Sequence, residues 1–332
     1  MNKIIETKRF SFLAELSNMR SAIMGIAILW IMLFHSGLQC PDNTILKALW
    51  YVFVSFGGGV GVNIFFILSG FGLYYSVAKY DDQQKIRWWG WYKKRFIRII
   101  PSYLIIAVVF YLMKHDLTLY NLLQLNFWLD GARDFWFIPG ILLCYVLFPP
   151  MYVLAKRLGF TATTACVLAL LLLQCELIGL FVPGYYDKIE ILLWRLPCFV
   201  IGVYMGYLSK EQVCFNYWLV YILIFVLLVG CWWVQIIGQM RLLFLLGTLL
   251  FLPPLLGLSY LIKKSVPLLQ SVFDYLGKRS LQVYLTHVSI VLLILAGLEN
   301  MYLWWSLYFA VTLLISEMVY RVTLPNLFVR KK

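Results

Sequence analysis

SNMRSAIMGIAILWIMLFHSG, residues 17–37, is an apolar run long enough to enter a lipid bilayer. It carries one cation near its start, Arg20, and one imidazole near its end, His35. In a helix that rises about 1.5 Å per residue, the two lie roughly 22 Å apart along the axis and about 60° apart around it. An ionisable group inside such a run is costly unless it is paired, hydrated or used. The stretch therefore predicts a spanning helix whose histidine either serves function or bonds to a neighbouring helix.

The composition extends this prediction to the whole chain. Of the 332 residues, 63% are hydrophobic and 13% are charged, with a mean hydropathy of +0.84, whereas soluble domains average about 25% charged residues. We expect an all-α membrane protein, a bundle of about ten transmembrane helices. The 7 cysteines are scattered and form neither a disulfide framework nor a metal pattern, so no metal site is expected. In a membrane protein the net charge of +13 indicates orientation rather than nucleic-acid binding.

The hydrophobic segments and the charges between them predict a topology. The segments lie at approximately 21–38, 52–78, 99–113, 136–154, 161–182, 189–208, 215–234, 242–262, 281–298 and 302–320. Most lysines and arginines outside them fall in one alternate set of connections, which the positive-inside rule places in the cytoplasm. We expect residues 1–20 and 322–332 to be cytoplasmic segments flanking a transmembrane domain at 21–321. His35 then lies in the outer half of the first span, and His287 in the inner half of the ninth.

A glycine-rich run, GGGVGVNIFFILSGFG at residues 57–72, begins inside the second segment. Val62 occupies the last glycine position of a G-x-G-x-x-G nucleotide fingerprint, and the context is membrane, so that function is rejected. The start of the run is interpreted as a loop or a re-entrant piece. Gly70 and Gly72 permit close approach of another helix or a slender ligand, and Ser69 offers a hydroxyl.

A basic, aromatic stretch, RWWGWYKKRFIRIIP at residues 87–101, lies in a predicted cytoplasmic loop that covers 79–98. Its tryptophans and cations suit an anchor at the lipid headgroups. Arginine side chains also bind phosphates through two parallel hydrogen bonds. Lys94, Arg95 and Arg98 therefore form either a lipid anchor or a site for a phosphorylated molecule such as coenzyme A.

Further polar residues lie within predicted spans. Arg195 requires a partner, for which Glu176 or a ligand anion is available. Glu317 and Arg321 are four residues apart and can pair on one helix. Tyr284 and His287, three residues apart, share one helix face, where they either contact substrate or lock helices together.

Several stretches together resemble one family of membrane enzymes. They are GIAILWIMLFH (25–35), GVNIFFILSGF (61–71), KKRFIRIIPSY (93–103), FWFI (135–138) and LGKRSLQVYLTH (276–287). Their kind and order resemble the integral-membrane acyltransferase family three. The resemblance implies a ten-helix bundle, an acyl-coenzyme A donor on the cytoplasmic side, and a hydroxyl of a cell-surface glycan or its lipid-linked precursor as acceptor. By family habit the acyl group is acetyl, so acetyl-coenzyme A is a co-substrate and no tightly bound cofactor is expected.

The resemblance also assigns roles to residues. His35 matches the family's first-span histidine, Ser69 its SGF motif, Arg95 and Arg98 its arginines after the loop, and Trp136 its tryptophan. Family members commonly carry an arginine eleven residues before the histidine, where this chain has Met24; Arg20 lies one turn earlier. The predicted site residues are His35, Ser69 and Tyr284 for catalysis, Arg95, Arg98, Arg20 and Lys94 for coenzyme A, and Trp136, Asp134 and His287 for the acceptor.

Two mechanisms and one rival function remain open at this point. Histidine, with an unperturbed pKa of about 6.5, suits general-base removal of the acceptor's proton, with Ser69 or Tyr284 as oxyanion donors. An acyl-histidine intermediate is the second route. The rival is a transporter or flippase for a lipid-linked saccharide, which broken helices and buried charges also suit. In either case we expect a multi-pass protein of a bacterial cytoplasmic membrane, in contact with membrane lipids.

Overall fold

In the computed structural model, the described residues are 12–36, 44–81, 86–213, 217–233 and 239–323, and they form helices without any strand. The predicted terminal segments therefore lie largely outside the described residues. The helices are α1 (Phe12–His35), α2 (Thr44–Asp81), α3 (Trp88–Met113), α4 (Leu119–Leu122), α5 (Leu125–Asp130), α6 (Phe137–Leu158), α7 (Phe160–Phe181), α8 (Pro183–Leu193), α9 (Leu196–Lys210), α10 (Tyr217–Trp233), α11 (Gln239–Ser265), α12 (Pro267–Lys278), α13 (Ser280–His287), α14 (Ile290–Leu295) and α15 (Met301–Thr323).

The membrane-spanning character of these helices is confirmed by their length and composition. Within the described residues, 8 helical segments are long and apolar enough to cross a membrane, and the bent pair formed by α12 with α13–α14 raises the count to 9. The predicted segment at 215–234 corresponds to α10, whose apolar part, Leu219–Cys231, is shorter than the others. The expected all-α polytopic fold is therefore correct, and the orientation of the bundle stays a prediction.

Helix α1 packs along α2, α11, α12 and α13. Its contact with α12 is backbone to backbone, because a Cβ at Gly25 would overlap the carbonyl of Phe273, and a Cβ at Gly277 would overlap that of Ser21. The Ser21 hydroxyl also donates to the carbonyl oxygen of Asp274 at 3.2 Å. These small residues hold the bent pair against the helix that carries Arg20 and His35.

The glycine-rich run does not form the expected loop, since α2 is continuous from Thr44 to Asp81. Atoms of neighbouring helices occupy the space that the absent glycine side chains leave on α2. Gly57 and Gly58 pack on the rings of Trp30 and Phe34 in α1, and Gly70 lies against the carbonyl of Phe199 in α9. The glycines thus serve close helix packing rather than a turn.

The expected cytoplasmic loop at 79–98 is also corrected, because α3 begins at Trp88. Trp91 is buried, donates to the Ser76 hydroxyl at 3.1 Å and stacks on Phe148 at 5.4 Å between ring centroids. Because Trp91 is buried, the helix begins before the apolar segment that the sequence predicts at 99–113. The basic residues of the stretch therefore stand on a helix, with Lys94, Arg95 and Arg98 near one face.

The predicted ninth segment, 281–298, is not one helix, because α13 ends at His287 and α14 begins at Ile290. The chain bends by 69° between α12 and α13–α14, and Arg279 lies at the bend. The Arg279 guanidinium pairs with the Glu317 carboxylate of α15 and lies over the rings of Tyr275 and Tyr320 at 3.6 and 4.3 Å. The predicted pair between Glu317 and Arg321 is present at 2.6 Å, but Glu317 mainly ties the bend to α15.

Candidate active site

A cavity of about 390 Å³ lies between α1, α2, α3, α6 and the start of α13. Arg20 and Ile31 both line it, so it extends along roughly 16 Å of α1. None of the described residues that line this cavity is acidic. We call its two ends the basic end, lined by Arg20, Lys94, Arg95, Arg98 and Lys278, and the histidine end, lined by Ile31, Val62, Phe137 and Tyr284.

At the basic end, the cations come from three separate elements. Arg20 is on α1, Lys278 closes α12, and the others lie on the first turns of α3. The Arg95 guanidinium lies 4.6 Å from the Trp91 ring centroid, a cation–π contact that fixes its position. Cations drawn together without an acidic partner repel one another, so this end favours a bound anion.

Arg20 depends on a glycine for its place in the cavity. A Cβ on Gly72 would overlap the Arg20 guanidinium, so glycine leaves room for the guanidinium in its present position. The Nε atom of Arg20 is buried and has no hydrogen-bond partner among the described residues. A buried donor without a partner is costly, and a phosphate oxygen is the acceptor that a guanidinium binds best.

A second cavity, of about 380 Å³, adjoins the basic end. Ser76, Lys94 and Arg95 line both cavities, and Lys79 and Arg87 add further positive charge to the second. The two volumes share a basic wall on the predicted cytoplasmic side. Such a wall suits a long anionic molecule with several phosphates better than a single small ion.

Two histidines lie just beyond the histidine end. His35 and His287 follow the lining residues Ile31 and Tyr284 by about one helical turn each. The His35 Nδ1 atom is 3.4 Å from the His287 Nε2 atom and 3.0 Å from the Ile31 carbonyl oxygen. The sequence predicts His35 in the outer half of its span and His287 in the inner half of another, whereas the fold sets the two side by side.

Ser69 lines the cavity, but nearer the basic end. It is three residues from Gly72, which faces Arg20, and eight from Gly61, which packs on Ile31. Along α2 those eight residues span about 12 Å. The structure thus does not bring Ser69 to His35, whereas it places Tyr284 beside His287, with ring centroids 5.7 Å apart.

Trp136 and Asp134, two of the residues predicted to contact the acceptor, make other contacts in the fold. Trp136 precedes α6 and is only 8% exposed, with the Arg195 guanidinium 5.9 Å from its ring centroid. Asp134 forms an ion pair with Lys114 at 3.5 Å. Neither residue lines the cavity.

Arg195 has a neutral partner rather than the expected Glu176. It is 1% exposed and its Nη1 atom donates to the Asn63 side-chain oxygen at 2.6 Å. Asn63 in turn donates to the Thr248 hydroxyl at 2.9 Å. The arginine therefore joins the break between α8 and α9 to α2 and α11.

Sequence reasoning missed several residues that line the cavity, among them Lys278, Tyr145 and Gln282. Lys278 stands in a stretch already singled out, LGKRSLQVYLTH, but only the bend turns it toward the other cations. Tyr145 and Gln282 are polar residues within apolar helices, and that property alone is a signal for a functional lining.

One comparison with known proteins identifies a family for this chain. The family model described as an acyltransferase domain matches residues 22–321, nearly the whole chain. Searches among curated proteins and among solved structures each returned no match. The match includes both histidines and, except for Arg20, all the residues named at the two ends of the cavity. The chain thus belongs to the integral-membrane acyltransferase family three that its ordered motifs indicate, and it is a membrane acyltransferase.

Proposed function

We propose that this acyltransferase moves an acetyl group from acetyl-coenzyme A to a hydroxyl of a cell-surface saccharide or its lipid-linked precursor. One observation supports the proposal: a single cavity runs from a cluster of cations, with no acidic residue among its described lining, to within about one helical turn of a pair of histidines. The cations suit the phosphates of the donor, and the histidines suit proton removal from an alcohol. The proposed setting is a bacterial cytoplasmic membrane.

The donor would bind with its phosphates at the basic end. Arg20, Arg95 and Arg98 offer guanidinium groups for two-pronged contacts with phosphate oxygens, and Lys94 and Lys278 add charge. The slender arm of coenzyme A then follows the cavity past Ser69, whose hydroxyl is placed to contact it. The thioester reaches the apolar histidine end, where little water competes with the acceptor.

His35 is the proposed general base. A neutral imidazole whose Nδ1 donates to the Ile31 carbonyl, 3.0 Å away, has its lone pair on Nε2. That lone pair takes the acceptor's hydroxyl proton while the oxygen forms a bond to the thioester carbonyl carbon. The carbon–sulfur bond then breaks, and the departing thiolate takes the proton from the His35 imidazolium. The Tyr284 hydroxyl is the proposed donor to the transient oxyanion.

The acceptor would approach His35 from the predicted outer side. His35 ends α1 and its side chain is exposed. Asp134 and Trp136 remain the proposed contacts for the saccharide, by hydrogen bonding and by stacking, and His287 is treated separately below.

The test is label transfer from acetyl-coenzyme A in membranes that contain the protein. We expect label in a glycan with an equal release of free thiol, and mass spectrometry of glycans with and without the gene identifies the acceptor. His35→Ala should lower the rate by about 10² to 10⁴, the usual contribution of a general base.

His115→Asn is the matched control, because His115 has a positive φ of 54° that asparagine tolerates. His115 does not line the cavity, and its variant should retain full transfer. Movement of a saccharide across the membrane without any covalent change would overturn the proposal in favour of a transporter. Full activity of His35→Ala would overturn the role of His35 alone.

A further inference from the structure

We infer that His287 is a positioning residue, which holds His35 in the one tautomer and orientation that can act as a base. The inference rests on the proposed function, because it concerns the step in which His35 takes a proton. His287 is 0% exposed and comes from a part of the chain 252 residues away from His35. The two ring centroids are 5.1 Å apart at an angle of 71°, so the rings meet edge to face.

The tautomer of His287 is fixed by its own helix. Its Nδ1 atom lies 2.8 Å from the Tyr284 carbonyl oxygen and 3.0 Å from that of Val283. A ring nitrogen that faces two carbonyl oxygens carries the hydrogen, which leaves the lone pair on Nε2. In the neutral side chain, Nε2 is therefore an acceptor, and it points toward His35.

The break in the helix makes the Tyr284 carbonyl available. Helix α13 ends at His287, and the last four carbonyls of a helix lack partners within it. The carbonyl of Tyr284 belongs to that last turn. In the continuous helix through 281–298 that the sequence predicts, the same carbonyl would accept a backbone hydrogen bond within the helix.

His287 in turn fixes the tautomer of His35. The His35 Nδ1 atom faces two acceptors, the Ile31 carbonyl at 3.0 Å and the His287 Nε2 atom at 3.4 Å. Only a hydrogen on Nδ1 satisfies both, whereas the other tautomer would set three lone pairs against one another. The lone pair of His35 is thereby directed to Nε2, away from His287. This arrangement gives an orienting partner without a buried carboxylate, whose desolvation would be costly.

The position of His287 is held from a third helix. The Thr286 and Ser316 hydroxyls are 2.8 Å apart, which ties α13 to α15. The ring of His287 therefore has little freedom to turn away when the acceptor arrives. When His35 takes the proton, its Nδ1–H becomes a charged donor, and the hydrogen bond to His287 strengthens.

The experiment compares His287→Gln with His287→Met in label transfer from acetyl-coenzyme A. Glutamine sets an amide near the former Nε2 position, where its oxygen can accept from His35, and methionine fills similar space without such an acceptor. We expect His287→Met to lower kcat about 10- to 100-fold, the equivalent of one hydrogen bond to a charged group, with KM for acetyl-coenzyme A unchanged. We expect His287→Gln to recover most of that kcat.

Two further measurements separate positioning from packing and from a failure of the proposed function. Binding of coenzyme A to each variant reports an intact fold, and the His35→Ala/His287→Met double variant should be no slower than His35→Ala. Wild-type kcat in His287→Met overturns the inference, and so does an equal loss in both His287 variants with weakened coenzyme A binding. A wild-type protein without acyl transfer overturns the proposed function, and the inference falls with it.

Discussion

Arg20 reaches the basic end because the residue that faces it on α2 is a glycine. Its guanidinium lies over Gly72, where a Cβ would overlap it. Met24, which occupies the position of the family's arginine, lines the same cavity one turn nearer to His35. The shift of one turn therefore places the cation close to Arg98 rather than in the middle of the cavity, consistent with binding of a phosphate instead of the thioester.

This contact predicts the effect of Gly72→Ala. The added methyl group displaces the Arg20 guanidinium, and we expect KM for acetyl-coenzyme A to rise about tenfold, the loss of one charged hydrogen bond. Gly257→Ala is the matched control, because a Cβ there meets no atom within 4 Å and alanine favours a helix. Steady-state label transfer measures both variants. An unchanged KM in Gly72→Ala would remove Arg20 from the proposed donor site.

At the scale of single residues, the sequence identifies ionisable groups whose burial in apolar surroundings costs free energy. His35, Arg95 and Arg98 stand out as ionisable residues within or beside apolar sequence. The partnership of His35 with His287 is not readable in this way, since it joins residues 252 positions apart and depends on the end of α13. For Ser69 the motif predicts a catalytic role, and its position along α2 also suits contact with the arm of coenzyme A.

At the scale of elements, the bend between α12 and α13 determines the shape of the site. It turns Lys278 toward the basic end and sets His287 beside His35. The bend is held at Arg279, which pairs with Glu317. The side chains of this pair are only 15% and 18% exposed, so water screens the interaction weakly.

We expect Arg279→Ala to lower the free energy of unfolding by roughly 1–3 kcal/mol, because it leaves the half-buried Glu317 carboxylate without its main partner. Arg321→Ala is the control, since Arg321 pairs with the same carboxylate but is 75% exposed. Exposed pairs contribute about 0–1 kcal/mol. Thermal unfolding in detergent compares the two variants. Equal effects would mean that Arg279 is not what secures the bend.

The elements that the sequence predicts well are those with long apolar runs. The hydropathy pattern predicts the start of α3 too late, because WWGWYKK lacks the hydropathy of a span although Trp91 is buried in the fold. The break after His287 carries no proline or glycine in the sequence HVSI. Such a break arises from tertiary contacts, here from the packing of α13 on α15, which local patterns do not encode.

At the scale of the whole molecule, the distribution of charge and the position of the cavity indicate the same orientation in the membrane. The positive-inside rule predicts that the N-terminus of α1 and the basic stretch of α3 face the cytoplasm. The basic end of the cavity lies toward that side, and His35 lies toward the other. The donor and the acceptor would therefore approach the same pair of histidines from opposite sides of the membrane.

This arrangement predicts a sided reaction. In sealed inverted membrane vesicles, added acetyl-coenzyme A should release free thiol, because the basic end faces the medium. In sealed right-side-out vesicles we expect release only after detergent opens them, since a molecule with several phosphates does not cross a bilayer unaided. Vesicles with His35→Ala supply the background rate in both orientations. Equal rates in both sealed preparations would contradict the predicted orientation, whereas release confined to the right-side-out vesicles would reverse it and place the donor's binding cations on the outer side.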